Sequence, residues 1–201
     1  MRKFFLIPVL LLAAGTGIMA QGADMENTDQ ATVVIGGGCF WCVEAVYERI
    51  EGITSAVSGY AGGTVENPTY KQVTTGTTGH AEVVKLTFDP ERISYREILD
   101  IFFTAHDPTT VNRQGADVGP QYRSIILYLD EAQRRTAEEA RAAAAKNYEK
   151  PVVTQIVPLE TFYEAEEYHQ DYYDNNPFAG YCSYVIQPKL RKLGLEWRSI
   201  K

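Results

Sequence analysis

Between residues 32 and 129 the chain alternates apolar patterns in the order strand, helix, strand, strand, helix, strand, and few compact folds accept that order. The reading places strands at 32–36, 53–60, 80–88 and 122–129, with helices at 39–50 and 94–105. The second helix is announced by Ser94 and, three residues on, Glu97, a capping box. A loop with a short helix at 64–76 and a polar loop at 106–121 complete this part. An alanine- and charge-rich helix at 130–148, a strand at 152–157 and less regular helices near 165–174 and 187–193 follow. The split βαβ order predicts an α+β, ferredoxin-like two-layer α/β sandwich with a less regular C-terminal extension. An open α/β sheet of thioredoxin type is the alternative, since it also begins with a strand, a cysteine motif and a helix.

The first residues differ from the rest. Arg2 and Lys3 precede an uncharged run from Phe4 to Ala20, and small residues follow it, the three-part form of a secretory signal peptide. Pro8, Gly15 and Gly17 favour cleavage over a membrane anchor. The expected organisation is a signal peptide at 1–23, a flexible lead-in at 24–31 and a single catalytic domain at 32–201, exported to the periplasm or beyond. Loss of Arg2 and Lys3 takes the formal net charge from −7 to −9. So acidic a domain is a poor fit to nucleic acid or to an anionic membrane surface. No heptad run or unusual apolar face suggests self-association, so a monomer is expected. Cys39, Cys42 and Cys182 are too few for a disulfide scaffold, which favours redox or nucleophilic chemistry.

Cys39 stands at the junction of the first strand and helix, after Gly36, Gly37 and Gly38. The unpaired N–H groups and dipole of a helix start favour negative charge, so its pKa is expected to be lowered. On the helix, Cys39, Val43, Val46, Tyr47 and Ile50 share a stripe that should face the sheet, while Trp41, Glu44, Ala45 and Glu48 form a more polar stripe. Phe40 and Trp41 either cup a substrate or plug the end of the sandwich. In the third strand Glu82, Val84, Leu86 and Phe88 alternate onto one face. A desolvated Glu82 would hold its proton near neutral pH and could donate it, whereas at the strand end it could simply be solvated. The loop at 106–121 is long enough to suggest a functional role and carries Asp117, with Tyr122 just after it. Tyr70 lies beside a turn, although with 13 tyrosines any single one is more often packing. Cys42 forms C-x-x-C with Cys39, and Cys182 is either a mobile partner or an inert thiol. His80, His106 and His169 lack the local pairing of a zinc site.

Eight motifs in one order carry a more specific signal: Gly-Cys-Phe-Trp-Cys at 38–42, Gly-Tyr-Ala-Gly-Gly at 59–63, Asn-Pro-Thr-Tyr at 67–70, Gly-His-Ala-Glu at 79–82, His-Asp-Pro-Thr at 106–109, Asn-Arg-Gln-Gly at 112–115, Gln-Tyr-Arg-Ser at 121–124 and Glu-Tyr-His-Gln at 167–170. Over about 32–195 the chain resembles the A-type peptide methionine sulfoxide reductases. The resemblance implies reduction of the S epimer of methionine sulfoxide, free or in proteins, with no metal or organic cofactor, as repair of oxidised proteins. It implies that Cys39 attacks sulfur, that Phe40 and Trp41 hold the terminal methyl, and that Glu82 protonates the sulfoxide oxygen, which Tyr70 and Tyr122 also bond. Asp117 matches a substrate-binding position.

Cys39 then becomes a sulfenic acid that a second thiol condenses to a disulfide. By the resemblance Cys182 is the first choice as that thiol. Cys42, where the commonest family pattern has glycine, is the alternative resolving or relay residue. A thioredoxin-like protein would be the reductant. Two rival functions stay open: a thioredoxin-type oxidoreductase using Cys39 and Cys42, which gives Glu82, Tyr70 and the 106–121 loop no role, and a secreted module that binds methionine segments without turnover.

Overall fold

A computed structural model describes Met1 and residues 30–195; the expected signal peptide and most of the lead-in lie outside the described residues. Eight strands are seen: β1 Ala31–Gly37, β2 Ile53–Ala61, β3 Ala81–Phe88, β4 Arg113–Gln114, β5 Asp117–Val118, β6 Ser124–Tyr128, β7 Gln155–Pro158 and β8 Phe162–Glu164. The α-helices are α1 Phe40–Tyr47, α2 Tyr70–Val73, α3 Tyr95–Ala105, α4 Glu131–Ala144, α5 Tyr172–Asn175 and α6 Gln187–Lys192. Six strands form one sheet in the order β7-β6-β1-β3-β2-β8, a mixed α/β architecture. Every neighbour pair is antiparallel except β6 with β7. Strand β3 lies between β1 and β2, and the sheet extends past the four strands read between 32 and 129: β7 joins one edge in parallel, and β8, absent from the sequence reading, joins the other.

Strand β1 is apolar without alternation because both of its faces are covered. Val33 and Ile35 join Val84, Leu86 and Ile126 beneath α1, α3 and α4. Val34 joins Ala61, Ala81, Val83, Ile125 and Leu127 in a second cluster, closed by Val157, Leu159 and Phe162. The face of β3 expected to be less apolar is therefore buried at Ala81 and Val83. Lys85 and Thr87 on that face stay partly exposed, the Lys85 ammonium 4.8 Å from the Phe162 ring centre.

The capping box of α3 forms as read: Ser94 accepts from the Glu97 amide, and Glu97 accepts from the Ser94 amide. That helix buries Ile98, Leu99, Phe102 and Phe103. Helix α4 buries Ala137, Ala140 and Ala144, small residues that let it lie close, and turns Arg134, Glu131 and Glu138 outward as ion pairs.

The C-terminal segment differs from expectation. The helix near 165–174 is broken into a 3₁₀ turn at 167–169 and the single turn of α5, with Asp171 between them at φ 50°. A π-helical turn at 182–186 then runs into α6, and Cys182, Ile186 and Leu190 are buried one above another. This segment lies over the side of α1 that the sequence reading assigned to the polar stripe. Glu44 and Ala45 are consequently buried, and only Trp41 and Glu48 of that stripe keep partial exposure. Helix α1 is thus enclosed between the sheet and the C-terminal segment.

Candidate active site

Gly38 adopts φ 103°, where a Cβ would lie 2.6 Å from the Gln114 side chain. That left-handed step carries the chain from β1 into α1 and leaves Cys39 as the N-cap. The next backbone amide, that of Phe40, donates to Glu82 Oε2 at 3.0 Å. A hydrogen bond between the helix start and a β3 carboxyl therefore fixes Cys39 and Glu82 side by side, although they are 43 positions apart. Glu82 is 1% exposed and lies on the same face as Val84 and Leu86. Burial pushes its carboxyl up to about 8, partly opposed by the Phe40 amide. Arg123 braces the approach to this carboxyl by donating to Gly79 O at 2.9 Å and Pro120 O at 2.8 Å, which ties the Gly79–Glu82 stretch to the turn bearing Tyr122.

Burial holds the Cys39 thiol well above its ordinary value, with Cys42 and Glu82 adding to the effect. This corrects the expectation of a lowered pKa: desolvation outweighs the helix start. The neighbouring Cys39 thiol is the main reason Cys42 is lowered to about 7. Of the two, Cys42 is therefore the readier to ionise. Cys42 Sγ is also 3.7 Å from the Tyr181 hydroxyl, which donates to Asp117 Oδ2 at 2.7 Å. Cys182, the next residue, is fully buried.

Aromatic rings wall the space beside these thiols. Phe40 lies 6.3 Å from Tyr70 in a near-parallel stack and 5.0 Å from His169. Trp41 stacks on Tyr172 at 3.6 Å and meets Tyr181 edge-on at 5.7 Å, while its indole N–H donates to His169 Nδ1 at 3.2 Å. Tyr70 and Tyr122 are half-buried, and burial followed by the nearby Glu82 raises both phenols, Tyr70 to about 12. Both hydroxyls are therefore protonated donors at neutral pH. Tyr70 is placed by its own amide, which donates to Glu166 Oε1 at 2.9 Å, and Glu166 Oε2 accepts from the Tyr60 hydroxyl at 2.8 Å.

All nine residues singled out from the sequence thus belong to one region. The sequence reading missed the residues that hold them. Glu44 accepts from Ser58 Oγ at 2.9 Å and from the Tyr172 amide at 3.4 Å, and burial raises it to about 7. Gln170 exchanges bonds with Ser58 N and O, and Arg49 pairs with Asp174 at 2.6 Å. The Glu-Tyr-His-Gln motif at 167–170 was the available signal for His169 and Gln170. His80 and His106 are structural: His80 bridges Gly63 N and Val65 O, and His106 bridges Phe102 O and Ser124 Oγ, with burial lowering it to about 4. A groove of about 580 Å³ lined by Arg96, Phe103, Tyr148 and Lys192 lies apart from the thiols and Glu82.

The sequence model of the family described as peptide methionine sulfoxide reductase matches residues 31–199. The chain belongs to this family. It is 61% identical over 158 residues to the peptide methionine sulfoxide reductase MsrA of Saccharolobus solfataricus, covering 79% of this chain and 89% of that one. Among solved structures, methionine sulfoxide reductase A of Corynebacterium diphtheriae is similar with a TM-score of 0.75 and 34% identity, over 79% of this chain and 80% of that one. Mxr1 of Saccharomyces cerevisiae, solved in complex with Trx2, is similar with a TM-score of 0.54 and 25% identity, over 76% of this chain and 91% of that one. As a peptide methionine sulfoxide reductase the chain is an oxidoreductase that reduces methionine sulfoxide to methionine and so repairs oxidised proteins.

Proposed function

We propose that the enzyme acts on the S epimer of methionine sulfoxide, free or in proteins, with Cys39 as nucleophile and Glu82 as proton donor. The observation that carries this reading is the 3.0 Å bond from the Phe40 amide to Glu82, which sets a protonated carboxyl next to the thiol at the mouth of an aromatic pocket. A sulfoxide oxygen leaves only once protonated, so an acid and hydrogen-bond donors at oxygen must act together with a nucleophile at sulfur. Glu82 gives its proton to the oxygen, and Tyr70 and Tyr122 donate hydrogen bonds to it. Cys39 passes its own proton to the neighbouring Cys42 sulfur as it bonds to sulfur, and the thioether leaves with Cys39 as a sulfenic acid. Phe40 and Trp41 hold the terminal methyl, and Asp117 binds the polar part of the substrate.

A methyl pocket alone discriminates by only about 1–3 kcal/mol, so the direction in which Glu82 and the two phenols hold the S=O dipole sets the epimer. No metal or organic cofactor takes part in these steps. A second thiol, Cys182 or Cys42, condenses the sulfenic acid to a disulfide, and a thioredoxin-like reductant restores it; the solved complex of the similar Mxr1 with Trx2 supports a partner of that kind.

The antiparallel order β6-β1-β3-β2 supports reading the central strands as a ferredoxin-like two-layer core. The uncharged run behind Arg2 and Lys3 supports export to the periplasm or beyond, free of the membrane after cleavage. Since one chain completes the site, a monomer suffices.

The test is incubation of the enzyme with each purified epimer and dithiothreitol. Methionine should form from the S epimer and be abolished by Cys39→Ser; equal turnover of the R epimer, or activity surviving Cys39→Ser, would sink the assignment.

A further inference from the structure

Glu166 stands just before the Glu-Tyr-His-Gln motif, and no step of the proposed reaction uses it. Its backbone is held through the residue before it: the Ala165 amide donates to Ser58 O at 2.9 Å, and the Gln170 side chain donates to Ala165 O at 2.9 Å. From that fixed base its carboxyl reaches two other elements. Oε1 accepts from the amide of Tyr70, the first residue of α2, at 2.9 Å, and Oε2 accepts from the hydroxyl of Tyr60, on β2, at 2.8 Å. The first amide of a helix has no partner within it, so an acceptor outside fixes where the helix begins. The capping box of Thr69 and Gln72 serves the amides of those two residues, and Glu166 takes that of Tyr70 between them.

Both partners bear on Glu82. Tyr60 is the register partner of Glu82 across β2 and β3, so the two side chains leave the same face of the sheet side by side. The Tyr60 ring is fully buried there, with its centre 5.9 Å from that of Phe40. The Tyr70 ring lies 6.3 Å from Phe40 and 4.3 Å from His169. One carboxylate thus ties the ring beside the proton donor to the phenol assigned to the same sulfoxide oxygen.

Resting on the reading of Tyr70 as a hydrogen-bond donor to the sulfoxide oxygen, we infer that Glu166 is a positioning residue for the reductive step: its carboxylate holds the Tyr70 hydroxyl where it and Glu82 reach one oxygen together. Glu166 touches no reacting atom, and its effect passes through Tyr70. Its protonation fits that role. Partial burial works against its charge, but the Tyr70 amide, its own amide and the Tyr60 hydroxyl hold it below the ordinary carboxylate range. The more deeply buried Glu82 is raised instead. Two carboxyls whose surroundings push them in opposite directions divide the work, Glu82 as acid and Glu166 as acceptor. An ionised acceptor also makes shorter and stronger hydrogen bonds than a neutral one, which suits a brace.

The experiment is a double-mutant cycle on the single-turnover rate of methionine formation from the S epimer, with wild type, Tyr70→Phe, Glu166→Ala and the double variant. Glu166→Ala should be slower than wild type by roughly tenfold, yet in the Tyr70→Phe background it should change the rate by less than about twofold. Glu166→Gln keeps the shape but not the charge; it should be slower by about threefold, lose that effect in the same background, and decide the matter if Glu166→Ala does not fold. The fall in rate as pH rises through about 8 should persist in both Glu166 variants, because Glu82 supplies the proton. A wild-type rate in the Glu166 variants, equal factors in the two backgrounds, or loss of the pH dependence in Glu166→Gln would overturn the inference. Equal factors are what a general loosening of the pocket would give. Tyr70→Phe at the wild-type rate would instead refute the reading of Tyr70 on which the inference rests.

Discussion

Cys39 rests as a thiol, because its burial beside Glu82 and Cys42 outweighs the pull of the helix start. In the proposed reaction its reactivity is created within the pocket, when the Cys42 sulfur takes its proton and the sulfoxide oxygen takes that of Glu82. Burial keeps the phenols at Tyr70 and Tyr122 protonated, so in the proposed reaction each contributes a hydrogen bond to oxygen rather than a proton. Tyr70→Phe and Tyr122→Phe should each slow single-turnover methionine formation by roughly tenfold, the effect of about 1.4 kcal/mol, without changing the rate of disulfide exchange. Quenched-flow measurement of methionine release checks this. Cys39 was legible in the sequence from a short-range rule, a thiol between a strand and a helix, whereas the two-residue alternation put Glu82 on the apolar face but left its burial open, and the motif resemblance alone gave it a role. Glu44 was not legible. Its burial depends on Tyr172, 128 positions away, and a helix read in isolation gives a charged residue to solvent.

At the scale of elements, the C-terminal segment supports α1 through Glu44, Gln170 and the Arg49–Asp174 pair. Glu44→Ala removes the acceptor for Ser58 and the Tyr172 amide, which should cost about 1–3 kcal/mol in urea unfolding. It should also free Tyr172 from Trp41 and raise KM for the sulfoxide more than it lowers kcat. A loss of kcat alone would place Glu44 in the chemistry instead. The meeting of β1 and β3 is as demanding: a Cβ at Gly36 would lie 2.6 Å from the Glu82 carbonyl oxygen. Gly36→Ala should therefore destabilise the fold by about 1–3 kcal/mol and displace Glu82, lowering activity even at temperatures where the variant stays folded. Apart from the two-residue strands β4 and β5, which fall in the stretch read as a polar loop, the strands and helices up to residue 148 were readable because their periodicity is local and their caps are explicit. Strand β8 and the broken turns after 165 were not, since three-residue strands and single turns carry too little pattern, and their form is set by docking on α1 and β2.

Across the whole molecule, burial of carboxyls links stability to pH. The folded values of Glu82 at about 8 and Glu44 at about 7 lie above the ordinary 4.5. Their contribution is complete below the ordinary value and is lost as pH rises through the folded ones. The melting temperature should thus decline between pH 4.5 and about 8, and Glu82→Gln should flatten part of that slope. In the proposed mechanism the same carboxyl joins stability to catalysis, because the proton that lets Glu82 stay buried is the one given to the sulfoxide. The most direct test is the single-turnover rate of methionine formation from the S epimer between pH 5 and 10. For the wild type it should fall as pH rises through about 8, and for Glu82→Gln it should be at least about 100-fold lower with that dependence gone. A Glu82→Gln protein that keeps the wild-type rate and profile would contradict the pairing of thiol and carboxyl on which the mechanism stands.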